Sequence, residues 1–241
     1  MPVFRLGNDV RFPRPELAEP DGLLAIGGDL SPERLVEAYA AGIFPWYSEG
    51  EPILWWSLDP RWVLAPESVH VPRSLERTLR RGTYDFTADR AFRRVVERCA
   101  EAPRPGQQGT WVTRDMVDAS CRLHDSGLAH SIEAWKGGVL VGGLYGVSLG
   151  GAFFGESMFA DAPDASKACL VKLCRRLEDW RFDYIDCQMH TDHLERFGAV
   201  AWPRTEFLDR LEEALESDTR QGAWALEGDG PEDREESGCD E

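Results

Sequence analysis

No run of the 241-residue chain is apolar for long enough to cross a bilayer. The opening stretch, Met1 to Arg14, has charge and proline where a secretory signal would have its apolar core. These two absences predict a cytoplasmic protein with no membrane partner. Among Cys99, Cys121, Cys169, Cys174, Cys187 and Cys239 no two form a C-x-x-C pair, so reduced thiols are expected rather than a disulfide framework. His190 and His193 follow Cys187, but two histidines three apart lack the second close ligand pair of a zinc site, and no metal is expected. Also missing is the glycine-rich turn R/Q-x-x-G-x-G/A, whose amides hold the pyrophosphate of coenzyme A at a helix N-terminus. Asp164-Ala165-Ser166-Lys167 stands before the key helix instead.

An excess of positive charge is lacking as well: the formal net charge is −16, which by itself speaks against a nucleic-acid partner. The distribution tempers that conclusion. Residues 206–241 hold fourteen acids against three arginines, a net of −11, whereas residues 61–98 hold nine arginines against five acids, a net of +4. Most of the acidity therefore sits in a tail, and the arginine-rich body can meet phosphates.

What is present is a core: 42% hydrophobic residues, with nine Trp and eleven Phe, enough for one large domain or one domain with a small companion. Ser31 followed by Pro32 predicts a helix start and Gly42 its stop, with Leu35, Ala38 and Tyr39 on one face. Residues 43–62 are aromatic and proline-rich, and a stretch this apolar is expected to pack against the rest of the protein. Helices are predicted over 73–81 and 89–101, a loop over 102–109, and a helix from Arg114 to about Ser126, capped by Thr113 and ended by Gly127. Strands follow at 129–136, 138–147 and 152–156. The amphipathic helix Ala165 to Asp179 comes next, then a buried strand Phe182 to Cys187 and a last helix Arg204 to Leu215. Strand, strand, helix, strand, helix is an α+β order with a central mixed sheet covered by helices. After about Glu216 the low apolar content predicts a disordered tail.

Two carboxylates stand out. Glu156 closes the apolar run Phe153-Phe154-Gly155, and Asp186 precedes Gln188 by two positions. Strand alternation would put Asp186 and Gln188 on one face, an acid beside an amide where the protons of an amine nucleophile could be handled.

Seven segments, in order and in register, carry a resemblance. They are Gly22-Leu23-Leu24-Ala25-Ile26-Gly27-Gly28-Asp29-Leu30-Ser31-Pro32, Gly42-Ile43-Phe44-Pro45-Trp46, Pro52-Ile53-Leu54-Trp55-Trp56-Ser57, Gly109-Thr110-Trp111-Val112-Thr113, His130-Ser131-Ile132-Glu133, Gly155-Glu156-Ser157-Met158-Phe159 and Ile185-Asp186-Cys187-Gln188. From about residue 4 to residue 215 the chain resembles the leucyl/phenylalanyl-tRNA–protein transferases.

The resemblance implies a small N-terminal domain (residues 1–62) joined to a GNAT-like acyltransferase domain (63–215), with the acidic tail (216–241) beyond. It implies transfer of Leu or Phe, less well Met, from leucyl-tRNA or phenylalanyl-tRNA to proteins with N-terminal Arg or Lys. That transfer marks them for N-end rule degradation. No cofactor is needed, because the ester is already activated. Asp186, Gln188 and Glu156 match the catalytic positions: Asp186 orients the Gln188 amide, whose oxygen accepts from the incoming amine, and Glu156 meets the acceptor or orients the donor. Ser157 is a lesser hydrogen-bonding candidate, and no acyl-serine intermediate is expected. Trp46 and Trp111 match the positions that stack on the terminal adenine, and Leu144, Phe153, Leu170 and Ile185 those that line the aminoacyl pocket. At Leu144 the family commonly has Met, a change that keeps approximate volume. Arg73, Arg77, Arg80 and Arg81 are the candidates for phosphates of the acceptor stem, read without sequence specificity. A monomer is expected.

Two other readings use the same residues. An acyl-CoA-dependent N-acyltransferase would share the fold but needs the missing glycine-rich turn. A non-catalytic adaptor could bind basic N-termini through its acids, but would have no use for an adenine platform.

Overall fold

The computed structural model describes residues 3–102 and 112–226. Strands β1 (Phe4–Leu6), β2 (Leu23–Gly27), β3 (Phe44–Pro45) and β4 (Leu54–Trp56) form a four-stranded sheet in the order β1-β2-β4-β3. Helix α1 (Pro32–Ala40) begins where Ser31 caps it, its side chain accepting from the Arg34 amide, with Pro32 in the first turn. Gly42 ends it at φ +71, a left-handed conformation that suits glycine. Leu35, Ala38 and Tyr39 are all buried, as their shared face predicts.

From residue 61 the chain builds β5 (Arg61–Leu64), α2 (Arg73–Arg80), β6 (Asp85–Ala88), α3 (Phe92–Glu101), α4 (Arg114–Asp125), β7 (Ala129–Lys136) and β8 (Val139–Leu149). Then come β9 (Ala152–Ala160), α5 (Ala165–Asp179), β10 (Tyr184–Gln188), α6 (Asp192–Arg196), β11 (Val200–Trp202) and α7 (Arg204–Leu215). The strands form a seven-stranded sheet in the order β11-β5-β10-β9-β8-β7-β6. It is mixed: β9 and β10 run parallel, joined through α5, and the other neighbours are antiparallel. The protein is thus a mixed α/β fold.

Strand alternation sends neighbouring side chains into two cores. Phe153 and Leu144 face α5, with Leu170, Leu173 and Ile185, while Phe154 and Tyr145 face the other way. There they meet α3 and α1, and Tyr39 lies 5.2 Å from Phe154, ring to ring. The segment 43–62 packs against the rest, as its apolar character predicts: Trp55 is fully buried and the Tyr47 hydroxyl is 3.1 Å from Thr113 Oγ1.

Three local readings differ from what forms. The helix expected over 89–101 starts only at Phe92, because Asp89 takes a left-handed turn (φ 57) and its carboxylate accepts the Ser131 amide. The third strand of the sheet runs on from 156 to Ala160, since Met158 and Phe159 continue the apolar pattern on β8. The tail does not leave the body at about Glu216: Trp224 and Leu226, two apolar anchors in a polar stretch, are buried. No helix among the described residues is long and apolar enough to cross a membrane.

Candidate active site

Strands β9 and β10 pair from Tyr184–Ala152 to Asp186–Phe154, and there the ladder stops. Beyond that point both strands carry an irregularity. On β9 the register with β8 shifts between Tyr145–Ser157 and Gly146–Gly155, so Glu156 is the extra residue of a bulge. On β10 the register with β5 shifts between Asp186 and Gln188, and Gln188 is left-handed at φ 61. The parted strands open a cavity of about 360 Å³.

The four predicted pocket residues, Leu144, Phe153, Leu170 and Ile185, all line this cavity, and Met158 and Leu173 extend the apolar wall. Trp46 stands at the wall too, brought by the turn after β3 and half-buried, with the Trp56 indole donating to its carbonyl at 2.7 Å. Trp111 lies outside the described residues.

The polar side of the cavity centres on Glu156. Its Oε1 accepts two hydrogen bonds, from the Tyr39 hydroxyl at 2.8 Å and the Gln188 side-chain amide at 3.1 Å. Both bonds fall on one oxygen, leaving Oε2 as the atom to meet a substrate proton. Desolvation raises the Glu156 carboxyl to about 7, against the pull of the Tyr39 and Gln188 hydrogen bonds in the other direction. Burial likewise pushes the Tyr39 hydroxyl well above its ordinary range, with Glu156 adding to the effect, so Tyr39 is a donor at any working pH.

Asp186 is arranged differently from its expected place. The bulge turns Gln188 into the cavity beside Ile185 and Cys187, whereas Asp186 does not line it. The two side chains therefore do not share a face. Asp186 reaches Gln188 through the backbone instead, its Oδ1 accepting the Gln188 amide at 2.8 Å. Its main partner is Arg61, missed in the sequence reading. Nε and Nη2 of the guanidinium donate to Oδ1 and Oδ2 at 2.8 and 2.7 Å, with Arg61 1% and Asp186 0% exposed. Arg61 also donates to the Gly42 carbonyl and lies between the rings of Phe44 and Phe207, 4.6 and 4.7 Å from their centroids. This ion pair ties the end of α1 and β3 to the strand that carries Gln188. A bidentate buried pair of this kind is costly to break, about 3–5 kcal/mol when one partner is removed.

Other groups near the cavity have limited chemistry. Burial, with Asp186 nearby, pushes the Cys187 thiol well above its usual range, which removes it as a thiolate nucleophile. Desolvation lowers His193, which Lys167 and Arg196 reinforce. The string Gly146-Val147-Ser148-Leu149-Gly150 has the spacing of a nucleophile elbow, but it forms the end of β8 and the turn that leads to β9, and Ser148 is fully buried. His190 groups with Asp192 and Glu195 on the surface, apart from Cys187 and His193. Arg73, Arg77 and Arg80 of α2 and Arg81 just after it are all exposed, Arg80 being hydrogen-bonded to Glu76.

Comparison with known proteins identifies the family of the chain. The family model described as leucyl/phenylalanyl-tRNA protein transferase matches residues 63–212, and that of the family's N-terminal domain matches 28–59. The leucyl/phenylalanyl-tRNA–protein transferase of Anaeromyxobacter dehalogenans (strain 2CP-C) is 64% identical over 231 residues, covering 96% of this chain and 99% of its own. Its counterpart in Myxococcus xanthus (strain DK1622) is 57% identical, over 93% of this chain and 97% of its own. With both parts of the family matched and relatives aligned over nearly their whole length, the chain belongs to the leucyl/phenylalanyl-tRNA protein transferase family.

Proposed function

We propose that this chain transfers Leu or Phe, and less well Met, from aminoacyl-tRNA to the N-terminal Arg or Lys of proteins, marking them for N-end rule degradation. The observation that carries the reading is the cavity at the parting of β9 and β10. It combines an apolar wall of Leu144, Phe153, Leu170 and Ile185 with a carboxylate raised to about 7. An apolar aminoacyl side chain that is unbranched at Cβ fills the wall side, and the ester carbonyl then lies toward Glu156. The adenine of the tRNA end stacks on Trp46, and on Trp111 from outside the described residues.

In this mechanism the acceptor's α-ammonium passes a proton to Glu156 Oε2, and the neutral amine attacks the ester carbon. The C–N bond forms and the bond to the ribose oxygen breaks. The proton held by Glu156 goes to that leaving oxygen, and the second proton, which the attacking nitrogen sheds as the amide forms, passes to the freed Glu156 carboxylate and from there to solvent. Gln188, its side-chain nitrogen donating to Glu156, offers its own oxygen to the amine. Asp186, bound to Arg61, holds the backbone that aims Gln188 and touches no reactant. Confinement of amine and ester in one cavity supplies much of the remaining acceleration.

The mixed sheet with its parallel β9–β10 pair supports a GNAT-like reading of residues 63–215, with 1–62 as a small N-terminal domain and 216–241 as an acidic tail. The N-terminus of α5, where an acyl-CoA enzyme on such a fold would seat pyrophosphate, carries the carboxylates of Asp161 and Asp164. That favours the tRNA ester as donor. Arg73, Arg77, Arg80 and Arg81 serve the acceptor stem. We place the chain in the cytoplasm as a monomer.

The test is a mixture of phenylalanyl-tRNA, labelled in the amino acid, with a peptide beginning with Arg and the same peptide acetylated at its N-terminus. Label is expected on the free peptide alone. Folded protein that binds the tRNA and labels neither peptide would overturn the reading.

A further inference from the structure

The cavity wall has a second layer behind it, and that layer comes from the segment after α7. This strap lies beyond residue 212, where the family match ends. It is fastened at three points. The Thr219 hydroxyl accepts the Gly150 amide at 2.9 Å, the Gly222 amide donates to the Gly127 carbonyl at 3.2 Å, and the Trp224 amide donates to Asp89 Oδ2 at 2.7 Å. The same Asp89 oxygen accepts from His130 Nδ1 at 2.8 Å, which fixes the imidazole. Trp224 then stacks on His130, centroids 3.8 Å apart and planes within 5°. Trp224 is 4% exposed, although most of the surrounding strap is open to solvent.

The indole also lies against the ring of Phe153, centroids 5.8 Å apart at an angle of 38°. Phe153 is a cavity residue confined on both sides. On the sheet side its ring occupies the place of a side chain at Gly146: a Cβ there would lie 2.5 and 2.6 Å from Phe153 Cε1 and Cζ. Gly146 is in register with His130, so the niche and the imidazole under Trp224 are cross-strand neighbours. Phe153 is thereby held between a bare patch of β8 and the strap. Phe153 borders the cavity, and Trp224 itself does not.

We infer that Trp224 is a positioning residue for aminoacyl selectivity: the strap fixes how far Phe153 projects into the pocket, and so sets the room for the transferred side chain. The inference rests on the transferase reading of the cavity. A well-packed wall discriminates between side chains of different size by how little it can yield. Removing the indole leaves space behind Phe153, and the ring can retreat into it. The pocket then deepens, and phenylalanyl gains on leucyl.

The experiment compares wild type, Trp224→Leu and Trp224→Ala, using the ratio of affinities for non-hydrolysable 3′-amino analogues of phenylalanyl-adenosine and leucyl-adenosine. The kcat/KM ratio for transfer from the two charged tRNAs is read in parallel. Both ratios are expected to move toward phenylalanyl by about fivefold or more. In a Phe153→Leu background the same Trp224 substitution should change them less than about twofold, because the ring it acts through is gone. If Trp224→Ala does not melt cooperatively, Trp224→Leu and Trp224→Phe carry the test, with a smaller change expected for Phe. Ratios within twofold of wild type, with rates and melting temperature falling together, would make the strap a merely structural fastening and overturn the inference. A wild-type protein that binds the analogues but transfers nothing would count against the transferase reading alone. One that binds neither would overturn both.

Discussion

Replacing Tyr39 by Phe removes one hydroxyl and leaves the ring that packs on Phe154 at 5.2 Å. The hydroxyl donates to Glu156 Oε1 at 2.8 Å and so favours the ionised carboxylate, which desolvation already disfavours. A hydrogen bond to a charged group is worth about 1.5–3 kcal/mol, and one pH unit corresponds to about 1.4 kcal/mol. Losing a donor makes the acid harder to ionise, so its pKa rises from about 7 by roughly one to two further units. The rate limb that reports ionised Glu156 therefore moves to higher pH. Near pH 7 the ionised fraction falls from about a half to about a tenth or less, so transfer slows by roughly 5- to 50-fold and recovers toward pH 9. The assay is single-turnover transfer from phenylalanyl-tRNA to an Arg-initiated peptide between pH 5.5 and 9. The peptide's own amine also titrates, near 7.7–8.0, but that ionisation belongs to the substrate and is the same for both proteins. A variant with an unmoved acid limb and a uniformly lower rate would show that Glu156 is not the proton acceptor. Folding supplies a second readout: since the native pKa lies above the ordinary 4.5, the contribution of neutral Glu156 is complete below that value and lost as pH rises through about 7. Glu156→Gln should remove that loss.

Breaking the buried ion pair with Arg61→Met should cost about 3–5 kcal/mol in urea unfolding, because Asp186 is left buried without its partner; a loss under about 1 kcal/mol would show that the pair does not hold the strand. Trp46→Ala should raise KM for charged tRNA by about 5- to 150-fold, the equivalent of about 1–3 kcal/mol of stacking, with Trp46→Phe much milder. Equal KM values for the two variants would remove Trp46 from the adenine platform. The double variant Arg73→Ala, Arg77→Ala should weaken tRNA binding and flatten its log–log salt dependence by about 1.5, roughly 0.7–0.9 per lost phosphate contact. An unchanged salt slope would leave the α2 arginines as a solvated face.

Local chemistry made much of this fold legible. Ser31 and Thr113 read as caps because a short hydroxyl can satisfy the first free amides, and both accept the amides expected of them, from Arg34 and Met116. Helix α5 was readable from the spacing of Leu170, Leu173, Cys174 and Leu177, all buried. The short strands β5, β6 and β11, of three or four residues, carry too little pattern to stand out, and they form because the sheet offers them a neighbour. The site was legible in residue type more than in geometry. The bulges at Glu156 and after Asp186 depend on cross-strand register, which one strand's sequence does not contain. Arg61 sits 125 residues from Asp186, and Tyr39 sits 117 from Glu156, so neither pairing has a local signal. An arginine inside an apolar run, between Pro60 and Trp62-Val63-Leu64, was the one available hint that a buried acid waits elsewhere. Trp224 gave a similar hint as a lone large aromatic in a polar tail.

The division of labour between the two acids can be decided by single-turnover transfer at pH 8.5, with pH profiles, for Glu156→Gln and Asp186→Asn. Glu156→Gln is expected to melt no lower than the wild type, lose about 10²–10⁴ in rate, and lose the acid limb near 7. Asp186→Asn is expected to melt at lower temperature, and where it remains folded to keep that limb. A folded Asp186→Asn protein without the limb, alongside a Glu156→Gln protein within fivefold of wild type, would give the proton to Asp186 and contradict the mechanism proposed for this cavity.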